Sequence, residues 1–545
     1  MNKKILIFGM MLTLLISCGK SKESKTETAP PVKEVKVEEK TTSESTSAPK
    51  KNPYLAAELY GISHNDPAQS DTFPYAVKNG DFKADLKKYP QVIGGPINIM
   101  TMASTSPDYM WGTSSQGVTY INVADGKFEE VGRLNIPGVK VITEEAHNKV
   151  LRQDYTDLDQ VAKSIKENYG FGFERIYGGL YSLVDNQNVV YAEYGVSVYA
   201  IGLADEKDPK SGVKILRSIE LSKILDKGER ISGLSMTYDG KLIVIGARSL
   251  SVIDRDFKEA PQTVKFGKDE HVSNGASVDE NNGIYVASDK YMRKVVWTGT
   301  KLSTDEKDGA WQSEYETGQE PPAIKEGTGT GSTPTLMGFG DDEDKLVVIT
   351  DGANKMHIVA FWRDQIPADF KQKEGTKSNR IADQFSITAG QPADAKWIQS
   401  EQSVVVKGYG AFVVDNIVDK MPEDKLLGAI ALGPMINSPV GAERVEWDTK
   451  TNSWKSVWTR SEVSSVSMVP TVSRASNTVF VNGYYKETGW EITGLDWNTG
   501  KTVYRTIFGK DNFGNGAYAI VQFFPNGDLL FDSIAGPIRV SNDNK

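Results

Sequence analysis

The chain has 545 residues, with 63 lysines and arginines against 72 aspartates and glutamates, and a formal net charge of −9. A mildly acidic protein without a basic run in its folded part lacks the positive surface that a phosphate backbone requires, so we expect no nucleic-acid partner. Cys18 is the only cysteine, which excludes a disulfide within the chain.

The first predicted element is an apolar segment at the N-terminus. Lys3 and Lys4 precede residues 5–16, which are almost wholly apolar, as is typical of a secretory signal peptide. A transmembrane helix needs about 20 such residues, so this segment is too short to span a bilayer. It ends at LISC, residues 15–18, which resembles the bacterial lipobox. The resemblance implies that residues 1–17 are removed and that Cys18 carries lipid, palmitate included; the alternative is a plain signal peptide.

The second segment is a predicted tether. Residues 20–53 are mostly Lys, Glu, Ser, Thr and Pro, so they cannot bury enough apolar surface to offset the entropy of ordering. We therefore assign residues 18–53 to the lipidated cysteine and a disordered tether. Gly19 stands where an Asp would favour inner-membrane retention in lipoproteins of the enteric type. The resemblance implies a lipid-anchored, extracytoplasmic protein of the bacterial cell envelope, facing the periplasm or the cell surface, with the outer membrane favoured where the host has two.

The remaining residues, 54–545, are predicted to form one mostly β domain. The chain has 50 glycines, 22 tyrosines, 19 phenylalanines and 10 tryptophans, and long helical patterns are few. A unit of strand, tight turn and strand recurs along the domain, as in KLIVIGARSLSVIDRD. Eight copies fit this template, and they begin at Tyr109, Val189, Lys241, Gly283, Lys345, Ser403, Thr478 and Asp528.

This repeat predicts an all-β fold, a β-propeller of seven to eight blades, with eight favoured. Two or three β-sandwiches laid end to end are the structural alternative. The blade count depends on whether the Ser403 unit belongs to a neighbouring sheet and whether residues 441–458 are an outer hairpin. The last unit lacks an outer strand, and we expect residues 90–94 to supply it and close the ring.

One segment departs from the β pattern. TDLDQVAKSIKENYG, residues 156–170, places Leu158, Val161 and Ile165 at helical spacing, with acidic residues early and Lys166 late. It predicts a short helical insertion between the first two blades. Such a helix could shape a binding mouth or simply cover a sheet edge.

A resemblance to a known family rests on GLDWNTGKTVYR, residues 494–505. Asp496, Thr499 and Gly500 match the repeat of the quinoprotein alcohol dehydrogenase-like propellers, while Gly494 and Tyr504 replace its usual alanine and tryptophan. The resemblance covers one clear unit and implies the fold. Enzymes of that family hold pyrroloquinoline quinone and calcium, often against a vicinal disulfide, which a single cysteine cannot form.

The candidate ligand-binding residues lie where the chain enters inner strands. His271 and Asn274 belong to DEHVSNGAS, residues 269–277, which leads into a predicted inner strand and would line the central funnel. Glu174 and Arg175 precede the second inner strand and could face the channel. Each of these residues also has a structural interpretation as an ordinary loop side chain.

A glycine-rich loop supplies two further candidates. GTGTGSTPT, residues 327–335, leads into a strand, so its amides have no helix N-terminus to help them bind phosphate. Ser332 and Thr333 could place hydroxyls around the axis and bind a small polar or anionic ligand. The alternative is a flexible loop before the fifth blade.

Cofactor chemistry is not visible in the sequence. His64, His147, His271 and His357 show no zinc or heme spacing, and we interpret His357 as a packing residue in a strand. The acidic turn 341–344 could bind calcium loosely, although nothing else in the sequence supports it. The cofactor is therefore left unassigned.

Two functions fit these observations. The first is a membrane-anchored binding or scaffolding module that recognises a protein or a small polar ligand. The second is an enzyme acting on a small polar substrate in the axial pocket, either quinoprotein-like or metal-assisted. An enzyme should gather acidic and histidine side chains at the axis, whereas a scaffold should expose an apolar patch elsewhere.

Overall fold

The computed structural model describes residues 48–541 except 98 and 177. All of them belong to one compact unit, Glu44–Lys545. The predicted signal peptide, Cys18 and most of the tether lie outside the described residues. None of the helices in the described part is both long enough and apolar enough to cross a membrane.

The described residues form eight antiparallel sheets in chain order, the arrangement of a β-propeller. The first four sheets are β3 to β6 (Met100–Ala103, Tyr109–Ser114, Gly117–Asn122, Glu129–Asn135), β7 to β10 (Leu183–Val184, Val190–Tyr194, Ser197–Leu203, Val213–Glu220), β11 to β14 (Ile231–Met236, Leu242–Gly246, Ser249–Ile253, Gln262–Lys265) and β15 to β19 (Ser277–Val278, Gly283–Ala287, Tyr291–Trp297, Leu302–Ser303, Trp311–Glu314). Each is a meander, so every strand pairs with its neighbour in sequence, except that β18 and β19 both pair with β17.

The remaining sheets continue this order. They are β20 to β23 (Thr335–Met337, Leu346–Thr350, His357–Trp362, Ile381–Ser386), β24 to β27 (Val405–Lys407, Gly410–Val414, Ala442–Asp448, Ser453–Arg460), β28 to β31 (Thr471–Ser473, Thr478–Tyr485, Gly489–Asp496, Thr502–Gly509) and β32 to β34 (Gln522–Phe523, Leu529–Ser533, Gly536–Val540). Two N-terminal strands, β1 (Thr72–Phe73) and β2 (Gly80–Lys83), run parallel to the two edges of the seventh sheet.

The open questions about the sixth and eighth units are answered by strand pairing. The Ser403 unit forms the two inner strands of its own sheet, and residues 441–458 form the outer hairpin β26–β27 beside them. At the eighth sheet, Gln91 bridges Ile538, and the Val92 N–H donates to the Pro537 carbonyl at 3.1 Å. The predicted pairing of residues 90–94 with the last sheet is thus confirmed.

Apolar side chains fill the gaps between consecutive sheets. Trp111 of the first sheet and Val190 of the second share one buried cluster, and Ile243 and Val286 share another between the third and fourth sheets. A further cluster joins the eighth sheet to the first. Both faces of these strands carry apolar residues, because each sheet is covered by a neighbouring sheet on either side.

Three α-helices of the described residues lie outside the sheets: α1 (Glu144–Val150), α2 (Leu158–Asn168) and α3 (Lys425–Ala431). The Asp157 side chain caps α2 by accepting from the Gln160 N–H, and Val161 and Ile165 are buried on its inner face. The described residues between β6 and β7 therefore include two α-helices, of which the sequence pattern indicated one.

Candidate axial binding site

The segment YGISHNDPAQSDTF, residues 60–73, is buried at every position although most of it is polar. It runs along the inner strands of the sheets, where it accepts backbone hydrogen bonds. We call it the plug. Its Tyr60, Gly61, Pro67, Ala68, Ser70 and Asp71 carbonyls accept from the N–H groups of Ala103, Val184, Val278, Leu336, Val406 and Val472, at 2.7 to 3.1 Å. Each donor belongs to or directly follows the inner strand of a different sheet, so the plug satisfies groups that an open channel would leave to water.

The plug is folded on itself by side-chain bonds. His64 Nδ1 lies 3.1 and 3.0 Å from the two carboxylate oxygens of Asp71, and both side chains are buried. Asp66 accepts from the Ala68 N–H at 2.9 Å and from the Ser70 hydroxyl, and burial raises its pKa to about 6. His64, Asn65, Gln69 and Asp71 all have positive φ angles, which compact turns impose.

An outer cavity of about 960 Å³ opens on one face of the propeller. Its walls are α2 with the loop after it, the loops that enter β11, β15 and β20, and the loop that leads into α3. The charged side chains in this lining are of both signs: Lys166, Glu174, Lys227, Glu229, Arg230, Arg248, His271, Glu326, Glu423, Asp424 and Lys425.

An inner cavity of about 120 Å³ lies between the outer cavity and the plug. Phe173, Arg230, Ser232 and Glu326 line both cavities, so the two are adjacent. At this junction Glu326 accepts from His271 Nε2 at 2.6 Å and from Arg230 Nη2 at 3.2 Å. The hydrogen bond from His271, followed by the charge of Arg230, holds the pKa of Glu326 below its usual value.

Polar and aromatic side chains converge on the inner cavity. His64 forms part of its lining and stacks on Tyr181, with ring centroids 5.9 Å apart. The Tyr181 hydroxyl donates to Asn274 Oδ1, and burial raises the pKa of Tyr181. Glu401 accepts from the Lys325 N–H at 2.8 Å and from the Tyr518 hydroxyl.

Lys325 also lines the inner cavity, and its ammonium is saturated by protein acceptors. Its Nζ donates to Gln399 Oε1 at 2.8 Å and to the carbonyls of Gly329, Thr330 and Ser400 at 3.2 to 3.3 Å. Burial lowers its pKa to about 8, and the nearby Glu401 carboxylate opposes that shift. The hydrogen-bonding capacity of the ammonium is therefore taken up by the loops around it.

The structure brings three of the residues predicted from the sequence to these cavities. His271 and Glu174 line the outer cavity, and Asn274 lines the inner one. Arg175 is exposed and lies outside the lining of both, so it is not part of the site that we describe.

Ser332 and Thr333 are buried rather than displayed. The Ser332 hydroxyl donates to the Gln402 carbonyl at 3.3 Å, and Thr333 Oγ1 accepts from the Gly275 N–H at 3.2 Å. Their hydroxyls thus link the fifth sheet to its neighbours, and only Gly331 of this loop contributes to the inner lining.

Sequence reasoning missed the plug, Tyr181, Lys325 and Glu401. The plug contains a turn-rich polar run, HNDP, that indicates a loop, but nothing in its composition says that the loop is buried.

Among the residues that the structure describes, no group of three or more His, Cys, Asp or Glu side chains is arranged to hold a metal ion. The family resemblance implies the fold and no cofactor, and we derive no chemistry through calcium or a quinone.

Comparison with known sequences relates the chain to an uncharacterized protein. No protein-family model matches it. It is 30% identical over 406 residues to an uncharacterized protein of Archaeoglobus fulgidus, covering 72% of this chain and 75% of that protein.

Solved structures with a related shape are distant. A quinohemoprotein alcohol dehydrogenase from Comamonas testosteroni aligns with a TM-score of 0.49 and 10% identity, covering 90% of this chain and 80% of that one. A europium-containing methanol dehydrogenase aligns with a TM-score of 0.49 and 11% identity, covering 88% and 89%. These likenesses carry no argument about activity, and the fold assignment depends on the sheet topology.

Proposed function

From the premise that the chain belongs to the same family as the uncharacterized Archaeoglobus fulgidus protein, we propose that it is an extracytoplasmic, lipid-anchored propeller that binds a small polar ligand in its axial cavities. Because that relative is uncharacterized, the proposed function rests on the geometry of this chain alone. The observation that carries it is the convergence of His64, Tyr181, Asn274 and Glu401 on a cavity whose far end is closed by the plug. A pocket that combines an aromatic wall with a few placed polar groups is typical of small-molecule sites.

The surface favours a small ligand over a protein partner. Among the described residues, the large apolar side chains that are exposed by more than a third are Val141 in a loop and Leu216 and Val457 on strands of two different sheets. A protein-binding scaffold would be expected to show a contiguous apolar patch. The outer cavity lies at the upper end of the roughly 300–1,000 Å³ range of ligand pockets, so it can hold the body of a ligand whose end enters the inner cavity.

We also propose that the eight sheets are eight blades of one ring, with α1 and α2 inserted between the first two. The pairing of residues 91–94 with β34 and the apolar cluster between the eighth and first sheets support closure. Residues 50–54 contact the turn between β11 and β12, since Tyr238 donates to the Lys50 carbonyl and Asn52 to that of Met236. That turn lies at the opposite end of the sheet from the outer cavity, so residues 50–54 lie on the face opposite the mouth.

Native mass spectrometry of the full-length lipoprotein, extracted from its own host in mild detergent, tests the binding function. We expect a small-molecule adduct on the wild type that is lost from Glu401→Gln and retained by Glu374→Gln, a matched change at an exposed site. An adduct that survives Glu401→Gln, or a co-purified protein without any small molecule, would contradict the proposal.

The anchor has its own test. Cys18→Ser should move the protein from the membrane fraction to the soluble fraction and abolish labelling by an alkyne analogue of palmitate. Retention in the membrane fraction without label would contradict lipidation at this residue.

The second candidate is an enzyme that acts on a small polar substrate in the same cavity. The presence of His64, held by Asp71, and of Glu401 in the lining of one cavity favours it, because an oriented imidazole in a cavity is suited to proton transfer. Incubating the recovered ligand with wild-type protein distinguishes the two functions: an enzyme converts it, and a binding protein returns it unchanged.

A further inference from the structure

We infer that the floor of the inner cavity recognises a neutral, hydroxyl-bearing group of the ligand through His64 Nε2. This inference rests on the proposed function and names the chemistry of the ligand. It depends on the orientation of one imidazole and on the charges around it.

Asp71 fixes which ring nitrogen faces the cavity. A carboxylate only accepts hydrogen bonds, so on a neutral ring the proton lies on Nδ1, which is 3.0 and 3.1 Å from the two Asp71 oxygens. Nε2 is then an acceptor. His64 lines the inner cavity, and Nε2 has no protein partner among the described residues. Within the described part of the chain, the floor therefore offers a hydrogen-bond acceptor that is left to a ligand or a water molecule.

The surrounding charges favour a neutral donor. The Lys325 ammonium has four protein acceptors, and the charge of Arg230 is offset by Glu326 at 3.2 Å, so neither side chain is an unpaired cation that would draw an anion into the inner cavity. The Glu401 carboxylate adds acceptor capacity, but the nearby Lys325 charge offsets its attraction for a cation. Hydroxyl groups match these acceptors without carrying a charge into a buried site, where an unpaired charge is costly.

The aromatic wall is consistent with a polyhydroxylated ligand. Tyr181 stacks on His64, and Tyr518 and Phe173 also line the inner cavity. At about 120 Å³ the inner cavity has room for one end of a sugar-like molecule, while the outer cavity can take the rest.

Diethyl pyrocarbonate tests the exposed acceptor, because it transfers an ethoxycarbonyl group to an unprotonated imidazole nitrogen. In the full-length protein we expect peptide mapping to find His64 modified and His147 unmodified. His147 is the internal control: it is buried, with its two nitrogens bonded to the Tyr169 hydroxyl and the Gly94 carbonyl. Asp71→Asn should slow modification of His64 about tenfold or more, since an amide can hold the ring in the wrong tautomer. His64→Gln removes the imidazole but keeps a side-chain hydrogen-bond acceptor of similar length. It is the control that the fold tolerates a change at this position.

The ligand class is tested by protection. Three probe mixtures are used: neutral monosaccharides with sugar alcohols, amino sugars, and sugar acids. We expect the neutral mixture to slow the modification of His64 several-fold in the wild type and the charged mixtures to have less effect. Modification of His64 no faster than that of His147, an unchanged rate in Asp71→Asn, stronger protection by a charged mixture, or protection by none of the three would each overturn the inference. A small-molecule adduct in native mass spectrometry combined with any of these results would leave the proposed function standing and remove this inference alone.

Discussion

His147 is a buried histidine whose role is to join separate parts of the chain. It lies on α1, accepts from the Tyr169 hydroxyl after α2, and donates to the Gly94 carbonyl in the segment that pairs with the last sheet. Burial lowers its pKa to about 4, against 6.5 for an ordinary histidine, so the folded protein holds it neutral. Between these pH values the unfolded chain binds a proton that the folded chain does not, and stability therefore falls as the pH is lowered.

The pH dependence of unfolding tests this residue. We expect the wild type to lose up to about 3 kcal/mol relative to His147→Gln between pH 7 and pH 4, which is the free energy equivalent to the difference in pKa. Chemical unfolding of both proteins across that range measures the effect, and groups that titrate in both cancel in the difference. Parallel curves for the two proteins would show that His147 is not held neutral by the fold.

At the residue scale, the sequence was a better guide to the loops that reach the site than to the individual side chains that line it. His271, Asn274 and Glu174 were found because they precede inner strands, where a propeller places its axial loops. Lys325 and Glu401 could not be found this way. Lys325 is held by the backbone carbonyls and the Gln399 side chain around its ammonium, and Glu401 is held by the backbone N–H of Lys325. Neither contact leaves a pattern in the sequence of side-chain types.

The turn between β30 and β31 shows how a short motif defines an element. Asp496 accepts from the Thr499 N–H at 2.8 Å and from its hydroxyl at 2.7 Å, and Gly500 takes a φ of 70°. A Cβ on Gly500 would lie 2.7 Å from the Trp458 ring. The glycine is therefore required both by its backbone conformation and by the neighbouring sheet.

Two glycine substitutions separate these requirements. Gly299 has a φ of 87° with open space around it, so Gly299→Ala should lose about 1–2 kcal/mol for conformation alone. Gly500→Ala should lose a further 1–3 kcal/mol, roughly the cost of overpacking. Urea unfolding of both variants measures the difference, and equal losses would show that Trp458 moves aside without cost.

At the element scale, alternation of apolar residues predicted the strands because each sheet is covered on both faces. All eight repeat units correspond to paired strands, including the sixth, whose outer hairpin lies after a long insertion. The helix α3 in that insertion was missed because its seven residues are too few to show a helical period against their apolar surroundings. The plug was missed because its partners are backbone groups of distant strands.

The pairing of residues 91–94 with β34 joins the segment before the first sheet to the last sheet. The Val92 N–H donates to the Pro537 carbonyl at 3.1 Å, and the Gly94 N–H to that of Ala535 at 2.8 Å. Val92→Pro should lower the free energy of unfolding by about 1–3 kcal/mol, because it leaves a buried carbonyl without its donor. Ile93→Pro is the matched control, since the Ile93 N–H lies between the two bonds of this ladder. Equal losses in thermal unfolding would argue against the pairing as the source of stability.

The plug makes the whole molecule depend on its N-terminal segment. Six inner-strand N–H groups, each from a different sheet, donate to carbonyls within residues 60–73. Leaving a buried donor unsatisfied costs about 1–3 kcal/mol, so the loss of all six is comparable to the roughly 5–15 kcal/mol by which a folded protein is stable. A chain that begins at residue 48 should unfold cooperatively in calorimetry, and one that begins at residue 75 should show no cooperative transition. Adding a synthetic peptide of residues 58–74 during refolding of the shorter chain should restore the transition. If water can replace the plug, the shorter chain will instead unfold cooperatively on its own, and the inner strands will have been shown to close around an open channel.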